Sequence, residues 1–147
     1  MTNLGAFGVV ALLEASEHPN DTIRDYAGLW NTHPVLAALM TIFLLSLGGF
    51  PPLGGFVAKW YVFTAAMKAG YSSLAIIGVL TSVVSVFFYL RIVVMMYMTD
   101  STAPAQFPVA PKIPGAALVV SAAFVLYLGL LPTRVLDWAA ASIGTIF

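Results

Sequence analysis

The sequence predicts an all-α integral membrane protein: three full transmembrane helices preceded by a partial one, with the second helix in chain order discontinuous. Three observations predict it. First, 61% of the 147 residues are hydrophobic and only 8% are charged, whereas a soluble domain is nearer half apolar and a quarter charged. Second, the apolar residues fall in long runs without the two-residue alternation of barrel strands. Third, one of those runs is cut by a cluster of glycine and proline. Mean hydropathy is +0.97, and six acidic and six basic side chains cannot cover the surface of a soluble globule. Zero net charge leaves no basic footprint for nucleic acid. The absence of cysteine excludes disulfides, thiolate metal sites and Cys-ligated clusters.

A spanning helix needs about 20 apolar residues. Thr2 to Leu13 is apolar but too short to span, and Met1-Thr2-Asn3 lacks the positive region of a signal peptide. The expectation is a helix whose first half is missing, with a re-entrant or interfacial segment as the competing reading. The stretch from Glu14 to Pro34 is polar, with four acids, Arg24, His18 and His33. Val35 to Met67 is apolar apart from Lys59 and is expected to break near residues 48–55. Lys68-Ala69-Gly70 is a tight link, so the next helix, 71–98, runs antiparallel to the one before it. Thr99 to Pro114 carries Asp100, Lys112 and four prolines and reads as a loop. The last span is 114–131. In the tail, 133–147, Val135, Trp138, Ala139, Ile143 and Ile146 share a face, which predicts a short amphipathic helix on the membrane or a neighbouring subunit. Tyr26, Trp30, Tyr97 and Trp138 are placed as interfacial anchors.

The interrupted helix is the most informative segment. Pro51 and Pro52 remove two backbone donors, and Gly48, Gly49, Gly54 and Gly55 flank them. In hydrocarbon the freed carbonyls must find partners, so such a break belongs beside protein or a water-filled cavity. Discontinuous helices of this kind bind or pass ions near the midplane; the plainer reading is a structural kink. Val35 to Lys68 would be about 51 Å long as one helix, far beyond the bilayer core. Counting back from Lys68 puts Lys59 about 14 Å deep, whereas counting forward from Val35 along an unbroken helix puts it at the far interface. The two counts agree only if the break absorbs length. If it does not, Lys59 snorkels to the headgroups. A lysine at the helix centre costs about 2.5–3.5 kcal/mol, and lysines held out of water can take up and release a proton near neutral pH. The chemistry implied is proton relay.

Gly78, Ser82, Ser85 and Tyr89 line one face of the third segment. Small residues there favour close helix packing; the alternative is a polar lining that holds relay waters. Arg91 is expected to reach the headgroups. Both histidines fall outside the spans, which disfavours haem ligation. Gly49 to Gly54 has the first spacing of a phosphate loop, but Gly55 stands where lysine is required. No dinucleotide fingerprint or Ser/His/Asp arrangement is apparent.

At Ser46-Leu47-Gly48-Gly49-Phe50-Pro51-Pro52 and Gly55-Phe56-Val57-Ala58-Lys59-Trp60-Tyr61-Val62-Phe63 the sequence closely resembles the antiporter-like subunits of proton-pumping NADH–quinone oxidoreductase, complex I. Within that family it is most similar to subunit N, known in organelles as NADH dehydrogenase subunit 2. Supporting stretches are Leu4-Gly5-Ala6-Phe7-Gly8-Val9-Val10, Tyr26-Ala27-Gly28-Leu29 and Tyr89-Leu90-Arg91-Ile92-Val93-Val94. The likeness weakens in the Thr99–Pro114 loop and the tail. It implies the C-terminal third of a subunit of about fourteen helices, from the middle of the eleventh helix onward. It also implies a discontinuous twelfth helix carrying a proton-channel lysine, here Lys59. The companion glutamate and lysines of earlier helices are absent, so a complete proton path is not expected in this chain alone.

The resemblance implies no cofactor bound by this chain; NADH, FMN, Fe–S clusters and quinone belong to the parent complex. The implied partners are other membrane-arm subunits and the lipid bilayer, with no nucleic acid. The implied location is the bacterial plasma membrane, with organelle inner or thylakoid membranes as alternatives. It places the Glu14–Pro34 and Thr99–Pro114 loops on the cytoplasmic side, a weak match to the positive-inside rule. Subunits of Mrp-type cation/proton antiporters and membrane-bound hydrogenases share the pattern and form the alternative; an inactive gene fragment is the third reading. Lysine at position 59 followed by aromatics favours subunit N, since some relatives carry glutamate there.

Overall fold

The computed structural model describes residues 2–14, 26–99, 112–135, 137 and 141. The described residues form helices and no strands. In chain order these are α1 (Thr2–Glu14), α2 (Leu29–Thr32), α3 (Pro34–Gly48), α4 (Gly54–Lys68), α5 (Ser72–Met98) and α6 (Lys112–Leu130). By length and composition Ser72–Met98 can cross a membrane as one uninterrupted helix, while Thr2–Leu13, Pro34–Gly48 and Pro114–Leu130 are shorter apolar helices. Residues 15–25 of the expected Glu14–Pro34 loop and 100–111 of the expected Thr99–Pro114 loop lie outside the described residues, as do His18, Arg24 and Asp100; the last helix begins at Lys112, two residues before the expected Pro114. So do Trp138, Ala139, Ile143 and Ile146 of the expected tail helix.

The polar stretch before Pro34 is not loop throughout. α2 is a single turn there, and Leu29 is buried. The Gly28 amide donates to the Met95 carbonyl of α5 over 3.3 Å. Trp30 stacks on Tyr97 with ring centroids 5.0 Å apart, and the Thr41 hydroxyl lies 3.4 Å from the Tyr97 hydroxyl. Two of the expected interfacial anchors thus face each other, joining α2 to the end of α5.

α3 is the central element, packed against α1, α2, α5 and α6. It starts at Pro34, where the missing proline N–H would have no helical partner in any case. Its core residues include Phe43, which is fully buried together with Val9 and Leu13 of α1, Met96 of α5 and Val125 of α6. α1 approaches closely because it presents glycine: a Cβ at Gly5 would run into the Phe43 ring, and one at Gly8 would lie 2.9 Å from Leu118 of α6.

α4 and α5 form an antiparallel hairpin through Gly70, whose φ is +85°. The Gly70 and Tyr71 amides close the turn on the Met67 and Ala66 carbonyls at 3.1 and 2.9 Å. α5 buries only Ala75 and Met96. Its outer face exposes Leu80, Val83, Val84, Phe87 and Phe88, a contiguous apolar surface suited to hydrocarbon or neighbouring helices.

Candidate functional site: a lysine across a helix break

α3 stops because Gly49 takes a left-handed conformation, φ +85°, which L side chains avoid. The Gly49 amide donates to the Ser46 carbonyl at 3.0 Å and the Phe50 amide to the Leu45 carbonyl at 2.9 Å. These bonds satisfy two of the carbonyls that a helix C-terminus leaves open. Phe50 to Leu53 turn the chain, with the Leu53 amide returning to the Phe50 carbonyl at 3.0 Å. α4 then begins at Gly54.

The start of α4 lies beside the end of α3. The Gly55 amide donates to the Ser46 hydroxyl at 3.2 Å, and a Cβ on Gly55 would collide with the Ser46 carbonyl. Side-by-side ends shorten the pair. Counting α3 to Ser46 and α4 from Gly55 leaves about 38 Å of rise between Pro34 and Lys68, against about 51 Å for one straight helix. On that count Lys59 sits about 24 Å from Pro34 and about 14 Å from Lys68, away from both ends.

Lys59 is one helical turn beyond Gly55 and half-buried. Its aliphatic stem crosses Gly49, where an added Cβ would lie 2.9 Å from Lys59 Cδ. Its Nζ donates to the Gly48 carbonyl at 2.9 Å. A cation at the C-terminal end of α3 is favoured by the helix dipole. One N–H of the ammonium donates to α3, and two remain for other acceptors.

α6 closes the break from one side. A Cβ on Gly129 would strike the Pro52 carbonyl and the Leu53 main chain, and one on Gly54 would lie 3.2 Å from the Val125 carbonyl. Leu53 is buried, whereas Phe50, Pro51 and Pro52 remain exposed. The irregular backbone is thus partly walled by protein.

The Gly78–Tyr89 face divides between two tasks. Gly78 admits the Phe63 ring of α4, which an added Cβ would approach to 2.7 Å. Tyr89 and Val86 pack on Gly48, at the foot of the break. The Ser82 and Ser85 hydroxyls donate to the Gly78 and Thr81 carbonyls of their own helix, at 2.8 and 3.0 Å. Ser46, fully buried, joins the site although the pattern of the sequence does not single it out; its signal is a hydroxyl placed just before a glycine-proline break. Among the described residues no group of three His, Cys, Asp or Glu side chains could hold a metal ion.

Residues 1–85 match the family model described as NADH:quinone oxidoreductase/Mrp antiporter, TM. The chain is 44% identical over 144 residues to NADH-quinone oxidoreductase subunit N of Trichlorobacter lovleyi, covering 98% of this chain and 30% of that protein. It is 48% identical over 123 residues to NADH-quinone oxidoreductase subunit N 2 of Koribacter versatilis, covering 82% of this chain and 25% of that one. Among solved structures it is similar to a chain of respiratory complex I from Thermus thermophilus with bound aureothin, with a TM-score of 0.79 and 31% identity. That superposition covers 92% of this chain and 32% of the other. The chain therefore spans about a third or less of the length of the proteins it matches.

Proposed function

Since the chain belongs to the NADH:quinone oxidoreductase/Mrp antiporter transmembrane family and is an integral membrane protein, we propose that it forms the C-terminal third of a subunit N in the membrane arm of a proton-pumping NADH–quinone oxidoreductase. In this reading the parent has about fourteen helices. α3 and α4 are the two halves of one discontinuous span; α5 and α6 are full spans and α1 is part of another. The single observation that carries the site is the Lys59 Nζ bonded across the break to the Gly48 carbonyl.

Lys59 is the proton relay. Its amine takes a proton from water on one side of the break and gives it up on the other, and the Gly48 carbonyl holds the nitrogen in place between those steps. The remainder of the path, including any carboxylate that pairs with Lys59, lies in the rest of the parent subunit. This chain alone is inactive. NADH, FMN, Fe–S clusters and quinone are handled by other subunits, and the absence of cysteine here agrees with that division. The bacterial relatives support a bacterial plasma membrane. Their names favour the oxidoreductase over an Mrp-type antiporter.

The test is isolation of the intact complex through an affinity tag on the full-length parent subunit. Co-isolation of flavin- and Fe–S-containing subunits with NADH-driven quinone reduction is expected. Isolation with antiporter subunits alone, and no redox centre, would assign the chain to the antiporter branch instead.

A further inference from the structure

We propose that Ser46 is the positioning residue for Lys59: its hydroxyl fixes the first turn of α4, so that the lysine one turn later meets the Gly48 carbonyl. The inference rests on the reading of Lys59 as the relay and adds to it a residue outside the glycine-proline cluster.

The geometry is reciprocal. A side chain of α3, Ser46, accepts from the backbone of α4 at Gly55 over 3.2 Å. A side chain of α4, Lys59, donates to the backbone of α3 at Gly48 over 2.9 Å. Gly55 and Lys59 are four residues apart and share a helix face, and Ser46 and Gly48 belong to the same last turn of α3. The two bonds therefore close a small ring of contacts around the break. A slip of α4 by one residue would turn Lys59 by about 100° and carry its nitrogen off the Gly48 carbonyl. The Ser46 bond opposes that slip.

Two further observations set Ser46 apart. The first amides of a helix need an outside acceptor, commonly a Ser, Thr, Asp or Asn at the position before the helix. In α4 that position is Leu53, which makes no side-chain cap. Ser46 supplies the cap from the other half-helix. The hydroxyls of Thr32, Thr41, Thr64, Thr81, Ser82 and Ser85 all bond a carbonyl three or four residues earlier in their own helix, and that of Thr41 also reaches Tyr97 of α5. Ser46 bonds across to α4 instead, and it does so fully buried. Gly55 completes the arrangement, because any Cβ there would meet the Ser46 carbonyl.

The experiment measures protons translocated per NADH oxidised in the assembled complex carrying the full-length parent subunit, for Ser46→Ala, Ser46→Thr, Lys59→Met and the Ser46→Ala/Lys59→Met double variant. Ser46→Ala is expected to lower the ratio at least threefold at normal assembly, and Ser46→Thr, which keeps the acceptor, to stay within twofold of the natural protein. In the Lys59→Met background the serine change is expected to add nothing, since residues that act through one another are not additive. If Ser46→Ala does not assemble, Ser46→Cys carries the same test with a poor acceptor of similar volume. A natural ratio for Ser46→Ala, or an equal further loss in the double variant, overturns the inference and leaves the relay reading standing. A natural ratio for Lys59→Met overturns the relay reading and the inference with it.

Discussion

Replacing Gly55 by alanine adds one carbon at the tightest approach between the two half-helices. That carbon would fall on the Ser46 carbonyl oxygen, 2.7 Å from the carbonyl carbon and 3.1 Å from the hydroxyl oxygen. Two of these three neighbours are backbone atoms of α3 and cannot rotate away. The first turn of α4 must withdraw by more than about 1 Å to restore ordinary contact, which stretches the 3.2 Å Gly55–Ser46 bond beyond use. Overpacking costs about 1–3 kcal/mol, and a part-buried amide left without an acceptor about 1–3 kcal/mol more. Alanine returns about 1 kcal/mol through helix propensity. The net is a loss of about 3 kcal/mol, or roughly a hundredfold in the folding equilibrium. The assay is reversible detergent unfolding of the full-length parent subunit in mixed micelles. Gly115→Ala is the control, since an added Cβ there meets nothing within 4 Å and should be neutral or stabilising by about 0.5–1 kcal/mol. Equal stability of the two variants would refute the close approach on which the site's geometry depends.

Gly70→Ala tests backbone conformation without crowding. No atom lies within 4 Å of the added carbon, yet φ is +85°, so the same unfolding assay should show a loss of about 1–2 kcal/mol, partly recovered by asparagine. Single cysteines at Asn31 and Ala69, both exposed and flanking the broken span in a chain without natural cysteine, should react with an impermeant maleimide from opposite sides of the membrane. Labelling from one side would mean that α3 and α4 do not cross.

The sequence made the helices legible because hydrocarbon demands long apolar runs, and the break legible because Pro51 and Pro52 remove two backbone donors and four glycines that weaken a helix flank them. Where Lys59 ends up was not legible. Its depth depends on how much length residues 49–53 absorb, and that follows from tertiary contacts: the Gly55 amide reaching Ser46, and Gly129 of α6 closing on Pro52. Ser46 looked like part of the pattern leading into the break; its bond forms only once the chain has folded back nine residues later. α2 is shorter than two turns, so no periodicity marks it. The spacing of Ser82 and Ser85 placed both on one face but could not tell whether their hydroxyls look outward or back to their own carbonyls, which is where they turn.

The most direct test of the central claim is the proton-to-electron ratio of the assembled complex with Lys59→Met in the parent subunit. Methionine keeps the length of the side chain and removes both the charge and the 2.9 Å bond to the Gly48 carbonyl, and an apolar side chain at that depth is cheaper than an ammonium, so assembly should survive. Arginine keeps a charge that it does not readily give up and should not restore the relay. A steep fall in protons translocated per NADH oxidised is expected for both variants at normal assembly. A natural ratio with methionine would contradict it, leaving Lys59 as a side chain that ties the end of α3 and the glycine-proline break as a kink without a role in proton transfer.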